Sequence, residues 1–318
     1  MSFEELEKIR ISYYQKKKKG LTISAAIIII SLILVVPIII QVKNTHYTFP
    51  LFALPILMTF LIFSIAISLI ITALITKNEA TAYRKAYKAY FVSTSLAQTF
   101  TNLKYNHDSG LDAKFLSATG MINLGDRYHS DDLVVANYKN VNFIQADAHI
   151  EKEYEDSDGD KYYSTIFRGR FMFFEFPKKF DFRLEVIGCC FSAYHIPSSN
   201  TKSFKKIEKI EKIETESTEF NKRFTVYAED GLEAFYILDP AYIEKIQAIG
   251  EKYNYEIILG FIDNKLLVGI NNGKDSFEPP SCSSPIDEKA ELAKVSEDIK
   301  IITELVDQLK LSKKLFQD

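Results

Sequence analysis

The chain has 318 residues, with 39 Lys+Arg against 42 Asp+Glu, three cysteines and no tryptophan. A net charge of −3 with no basic stripe disfavours nucleic-acid binding. An odd cysteine number without CxxC pairs disfavours a disulfide or zinc framework and fits a reducing compartment. Charge is unevenly placed: residues 1–76 hold 7 Lys+Arg and 3 Glu, which leaves 32 basic and 39 acidic residues, net −7, for the remainder. An acidic domain of that kind is repelled by an anionic membrane leaflet.

Residues 1–20 read as a cytoplasmic N-terminal segment. Leu21 to Val42 and Tyr47 to Thr76 contain no charged residue over 22 and 30 positions. A bilayer core of ~30 Å needs roughly 20 apolar helical residues, so residues 21–76 predict two transmembrane helices, about 21–42 and 48–76. The link Lys43, Asn44, Thr45 and His46 is short enough to force an antiparallel hairpin. Lys16 to Lys19 precede the first run and Lys77, Arg84, Lys85 and Lys88 follow the second, so the positive-inside bias places both termini in the cytoplasm. Pro37, Pro50 and Pro55 are tolerable in such helices. Tyr47, Phe49, Tyr83 and Tyr87 are expected at the interfaces. Leu21 to Val42 is too long for a signal-peptide core. Neither span carries an ionisable residue, so nothing suggests an ion path.

Residues 77–106 are expected to form a juxtamembrane stem helix, since Ala80, Tyr83, Tyr87, Tyr90 and Ala97 share a face over 79–104. Residues 107–318 are expected to form a cytoplasmic α+β domain with a mainly antiparallel sheet and a C-terminal helix. Leu111 to Thr119 reads as a short helix ended by Gly120. Leu133 to Val135, Val141 to Ile150 and Tyr162 to Phe176 read as strands, with Asp158-Gly159 as a hairpin turn. Phe180, Phe182, Leu184 and Val186 alternate with Lys179, Asp181, Arg183 and Glu185, the pattern of a half-buried strand. Ile187 to Ile196 extends that strand or forms the next, and 197–206 is a polar loop. Ile207 to Glu216 is ambiguous. Phe220 to Ala228 and Leu232 to Leu238 read as strands around Asp230-Gly231. Asp239-Pro240 starts a helix that Gly250 ends. Tyr253 to Ile262 and Lys265 to Ile270 form a hairpin over Asp263-Asn264. Near Pro285 to Leu311, Leu292, Val295, Ile299, Ile302, Val306 and Leu309 follow a heptad spacing, read as a helix packed on its own domain.

The chemistry-bearing residues are sparse. Asp156-Ser157-Asp158-Gly159-Asp160 starts like a calcium loop, but Gly stands one place early and Phe167 occupies loop position twelve, so a solvated hairpin turn is favoured. His129, Asp131 and Asp132 lie close in sequence, as do Asp147 and His149. Too few ligands are evident for a metal. Cys189 and Cys190 read as buried strand residues. Arg168 and Arg170 share a strand face and are expected to be solvated, with acidic cross-strand partners. No catalytic, cofactor-binding or metal-binding residue is assigned.

The stretches SDDLVVANYKNVNF (130–143), FRGRFMFFEFPKKF (167–180), TEFNKRFTVYAEDGLEAFYILDP (218–240) and FEPP (277–280), with the terminal DQLKL, resemble a bacterial membrane protein family known as domain of unknown function 3137. The resemblance implies a two-span membrane protein with a cytoplasmic domain, and a process shared with LemA-like membrane proteins. It implies no activity and no functional residues.

The expected protein sits in the cell (inner) membrane and binds another membrane or envelope-associated protein. It is not expected to be an enzyme, and a homo-oligomer is compatible with it. The alternative is a lipid- or small-ligand-binding domain, suggested by Phe171, Phe173, Phe174 and Phe176. An enzyme with an unfamiliar site is the third reading.

Overall fold

The computed structural model describes residues 1–44, 53–176, 182–196, 203 and 210–309. Outside them lie several of the expectations above: Thr45, His46, Tyr47, Phe49 and Pro50; Lys179, Phe180 and Asp181; most of the 197–206 loop; Ile207; and Leu311. The chain divides into two units, Met1–Phe91 with Glu278–Glu291, and Val92–Phe277 with Leu292–Asp318.

The first unit is built on two long helices, α1 (Phe3–Asn44) and α2 (Ala53–Tyr87). Helix α1 starts well before the apolar run because Ser2 and Glu5 form a capping box. Ser2 N donates to the Glu5 carboxylate at 2.8 Å and Glu5 N donates to Ser2 Oγ at 3.2 Å. Its 42 residues make a rod of about 63 Å, longer than a bilayer core.

The two helices meet along small and hydroxylic side chains. Ser24 Oγ donates to the Ser68 carbonyl at 2.9 Å and lies 2.7 Å from Thr72 Oγ1. Gly20 permits the approach, since a Cβ there would sit 2.9 Å from Thr72 Cγ2. Ser31, Ser64, Ser68 and Thr76 are buried, whereas Ile29, Ile30, Ile33, Leu34, Phe63, Leu69 and Leu74 point outward. A water-soluble helix pair shows the opposite arrangement.

The segment 278–291 belongs to this unit and binds the charged ends of both helices. Arg10 Nε donates to Glu7 at 2.9 Å and its NH1 donates to the Cys282 carbonyl at 2.7 Å. Tyr83 donates to the Pro280 carbonyl, and Tyr87 to Glu291 at 2.6 Å. Tyr83 and Tyr87 are therefore buried rather than interfacial. Their aromatic rings satisfy an interfacial pattern in sequence, but this later segment covers them.

Beyond α2 the chain passes through a π-helical turn, Lys88–Val92, into α3 (Ser93–Thr99). The expected stem helix to residue 106 ends here. Thr101–Asn106 is a strand, β1, paired with the next one, and Asn102 adopts φ 52° at a register shift. Pairing along the sheet overrides the helical periodicity of the preceding residues.

Among the described residues the second unit holds a nine-stranded antiparallel sheet. After β1 come α4 (Ala113–Ser117), β2 (Arg127–Tyr138), β3 (Val141–Glu155), β4 (Lys161–Glu175), β5 (Leu184–Gly188), β6 (Glu211–Ile213), α5 (Thr218–Arg223), β7 (Phe224–Ala228), α6 (Gly231–Ile237), α7 (Pro240–Lys252), β8 (Ile257–Ile262), β9 (Lys265–Ile270) and α8 (Glu288–Gln308). The order across the sheet is β1-β2-β3-β4-β9-β8-β5-β7-β6. Lys139 and Asn140, both with positive φ, turn β2 into β3, matching the twist of the flanking strands. The Asp156–Asp160 stretch is the β3–β4 hairpin turn, where Asp156 Oδ1 accepts from the N–H groups of Asp158 and Asp160.

One sheet face carries a cluster that includes Ala146, Ala148, Phe167, Phe171, Phe173, Ile187, Ile258 and Leu267, covered by Leu116 and Met121. By strand alternation Phe143, Met172, Phe174 and Val268 lie on the other face, where Tyr242 of α7 meets Phe261 at 6.3 Å. The phenylalanine run is thus core on both faces. Phe167 stacks on Phe171 at 4.2 Å, and Phe171, Phe173, Phe174 and Phe176 are all buried. That packing removes the motive for the lipid-cavity alternative. Val295, Ile299, Ile302 and Val306 of α8 are buried as the heptad spacing requires, while Leu292 is 42% exposed.

Three expected strands differ. Leu232 to Leu238 is helix α6, because the Asp230 carboxylate accepts from Leu232 N and Glu233 N at 2.8 and 3.2 Å, so Asp-Gly caps a helix instead of turning a hairpin. Residues 218–223 are likewise helical, capped by Ser217, and the strand begins at Phe224. Of Ile187 to Ile196 only Ile187 and Gly188 extend β5, and Tyr194 makes an isolated bridge with Ile122.

The strand read as half-buried is covered on both sides. β5 lies between β8 and β7, and Arg183 and Glu185 are 2% and 0% exposed. Arg183 pairs with Glu185 and the Thr119 carbonyl, and Tyr194 donates to Glu185 at 2.6 Å. Burial pushes the Glu185 carboxyl upward against the pull of Arg183.

Candidate functional site

The residues flagged around His129 and Asp147 are brought together by β2, β3 and β4. Asp131 pairs in register with Asp147, and Asp147 with Arg170; His129 pairs with His149. Gly169 sits between the two arginines because a Cβ there would lie 2.0 Å from the Ile270 carbonyl oxygen. Between Asp131 and Val134 the register shifts, and Asp132 adopts φ 56°. This bulge turns a fully buried Asp132 onto the Tyr105 hydroxyl, which donates at 2.5 Å. Burial and the adjacent carboxylates, Asp132 foremost, hold the Tyr105 phenol far above its ordinary value.

Asp147 is wholly buried. Arg170 Nε donates to it at 3.2 Å and Ser276 N donates to its second oxygen. Desolvation raises its carboxyl, opposed by Arg170 and by the Ser276 hydrogen bond. Arg170 also donates to the Asp298 carbonyl on α8 at 2.6 Å and lies 5.1 Å over the Phe277 ring. The pair expected on a solvated face therefore splits: Arg170 is buried, whereas Arg168 is largely exposed and lies 3.6 Å from Asp275. The acidic cross-strand partner is present, but α8 and the 271–277 loop cover it.

One oxygen each from Asp131, Asp132 and Asp275 lies within 4.8 Å of the others. Asp275 was missed in sequence because its loop reaches the site only through the β9 pairing. Such a carboxylate group could supply oxygen ligands to a hard cation. Beside it a cavity of about 70 Å³ is lined by His129, Asp147, His149 and Arg168. Arg168 and Lys274 also line a polar cleft of about 710 Å³ that contains Lys252, Asn254, Glu256, Asn271 and Glu297. Gln145, on the same face of β3 as Asp147, is fully buried, and neither amide atom has a partner among the described residues.

Cys189 and Cys190 are exposed in the turn that follows β5, not buried on a strand. Gly188 closes β5, and a side chain there would collide with the Tyr255 carbonyl.

None of the curated proteins compared matches the chain. The crystal structure of the mycobacterial trehalose monomycolate transport factor A is similar with a TM-score of 0.34 and 10% identity, covering 71% of this chain and 94% of that one. Residues 165–311 match the family model described as "Protein of unknown function (DUF3137)", which takes in β4 through α8. Over these residues, 165–311, the chain is similar to the DUF3137 family that its sequence resembles.

Proposed function

We propose that this chain is a membrane-anchored binding protein. In this reading α1 and α2 cross the bilayer as a hairpin, both termini are cytoplasmic, and the sheet domain engages another membrane protein. The observation that carries it is the inside-out hairpin, with serines and threonines between the helices and isoleucine, leucine and phenylalanine outside. Lys16 to Lys19 and Lys77, Lys85 at the same ends supply the charge asymmetry.

The binding surface proposed is the polar cleft beside Arg168. Its mixture of cations, carboxylates and asparagines suits a polar protein surface. The role proposed is recognition without catalysis.

The test is chemical crosslinking of the full-length chain in native membranes, comparing wild type with Lys274→Glu. The reading expects a second protein crosslinked to cleft peptides and depleted in the variant. Crosslinks that ignore the substitution, or that join only copies of this chain, would contradict the proposed partner.

A further inference from the structure

We propose that Cys189 and Cys190 form a two-thiol site for a thiophilic ion of the trivalent arsenic class. The two residues are the central pair of a turn closed by Phe191 N donating to the Gly188 carbonyl at 3.0 Å. Cys189 N donates to the Arg223 carbonyl at 2.8 Å, so the turn is pinned on both sides. Both thiols are exposed, and their sulfurs lie 3.5 Å apart.

That separation matches one kind of dithiol chemistry, and the Cα spacing of adjacent residues disfavours the other. A soft ion bonded at ~2.3 Å to each sulfur with a near-tetrahedral angle holds them about 3.7 Å apart. The pair meets that bite with almost no movement, so little ordering is lost on binding. A disulfide needs sulfurs at about 2.0 Å and Cα atoms at least about 4.4 Å apart. Adjacent residues joined by a trans peptide have Cα atoms only about 3.8 Å apart, so the vicinal disulfide is strained. Chelation is favoured over oxidation.

The coordination number narrows the ion. Zinc seeks four ligands. Among the described residues no His, Cys, Asp or Glu atom joins these sulfurs as a third ligand. An organic arsenic(III) centre is satisfied by two thiolates and its own carbon. The reaction balances without an oxidant: an arsenoxide and two thiols give a dithioarsenite and one water. Two As–S bonds form, the As–O bond breaks, and both thiol protons leave with the oxygen.

The test uses the full-length protein with phenylarsine oxide, read by intact mass and peptide mapping. One phenylarsenic group per chain is expected, reversed by 2,3-dimercaptopropanol and not by an equivalent monothiol. Bound arsenical should shield the 189–190 peptide from iodoacetamide in the wild-type chain, a readout that needs no variant. Cys189→Ala or Cys190→Ala should weaken uptake roughly a hundredfold or more, because bidentate attachment is lost. Cys282→Ala should leave it unchanged. No adduct on the wild-type chain, shielding that maps to Cys282, or uptake retained by either single variant would overturn the assignment.

Discussion

The Lys88 ammonium is fully buried and lies 3.1 Å from the Glu278 carboxylate, which also accepts from Arg84 Nε at 2.7 Å. Lys88 opens the π-helical turn after α2, and Glu278 belongs to the FEPP stretch 190 residues later in the chain. This ion pair ties the segment 278–291 to the end of the helical hairpin.

Glu278→Gln should therefore lower stability by about 1–3 kcal/mol, because the buried Lys88 charge loses one carboxylate partner; the partial exposure of Glu278 keeps the loss below that of a fully buried pair. Thermal unfolding of the full-length protein in detergent measures it. The double variant Lys88→Met, Glu278→Gln should recover part of the loss.

Glu7 provides a pH dependence. Arg10 hydrogen-bonds to it and holds its carboxyl below the usual range, with a further contribution from Ile286 N. A carboxyl lowered in the folded state stabilises above the unfolded value and loses that contribution as pH falls through the folded one. The stability of the hairpin base should thus be flat near neutrality and fall on acidification below about pH 4.5. Glu7→Gln should flatten that part of the melting-temperature profile.

Gln145 is a liability by its surroundings. A buried amide without partners costs about 1–3 kcal/mol, so Gln145→Met, close in volume and apolar, should raise stability by about 1–2 kcal/mol. A lower denaturation midpoint would show that the amide is needed where it lies.

Gly169 tests the geometry that separates Arg168 from Arg170. Gly169→Ala should cost about 3 kcal/mol or more, since its methyl group would collide with the Ile270 carbonyl and break the β4–β9 pairing. Soluble yield and melting temperature report it.

Most strands and the terminal helix were legible because alternation and heptad spacing reflect burial that local sequence encodes. The failures have specific causes. Asp230-Gly231 fits both a hairpin turn and a helix cap, and only the hydrogen bonds of the Asp230 carboxylate distinguish them. Arg183 and Glu185 looked solvated because each is charged; their mutual pairing, with Tyr194 added, makes burial tolerable. The acidic site was half visible: Asp131 and Asp132 are neighbours in sequence, but Asp147 and Arg170 join them through sheet register and Asp275 through the loop after β9. Tyr83 and Tyr87 gave no signal that residues 280 and 291 would cover them.

One labelling experiment tests the proposed membrane hairpin and the proposed cytoplasmic placement of the sheet domain together. Asn44→Cys places a thiol at the last residue of α1, at the turn end of the hairpin, while the exposed native Cys189 and Cys190 report on the sheet domain. In intact cells an impermeant maleimide should label the Asn44→Cys thiol and leave Cys189 and Cys190 unmodified until the membrane is permeabilised. Labelling of Cys189 and Cys190 in intact cells, with Asn44→Cys protected, would contradict the orientation and the cytoplasmic placement of the domain together.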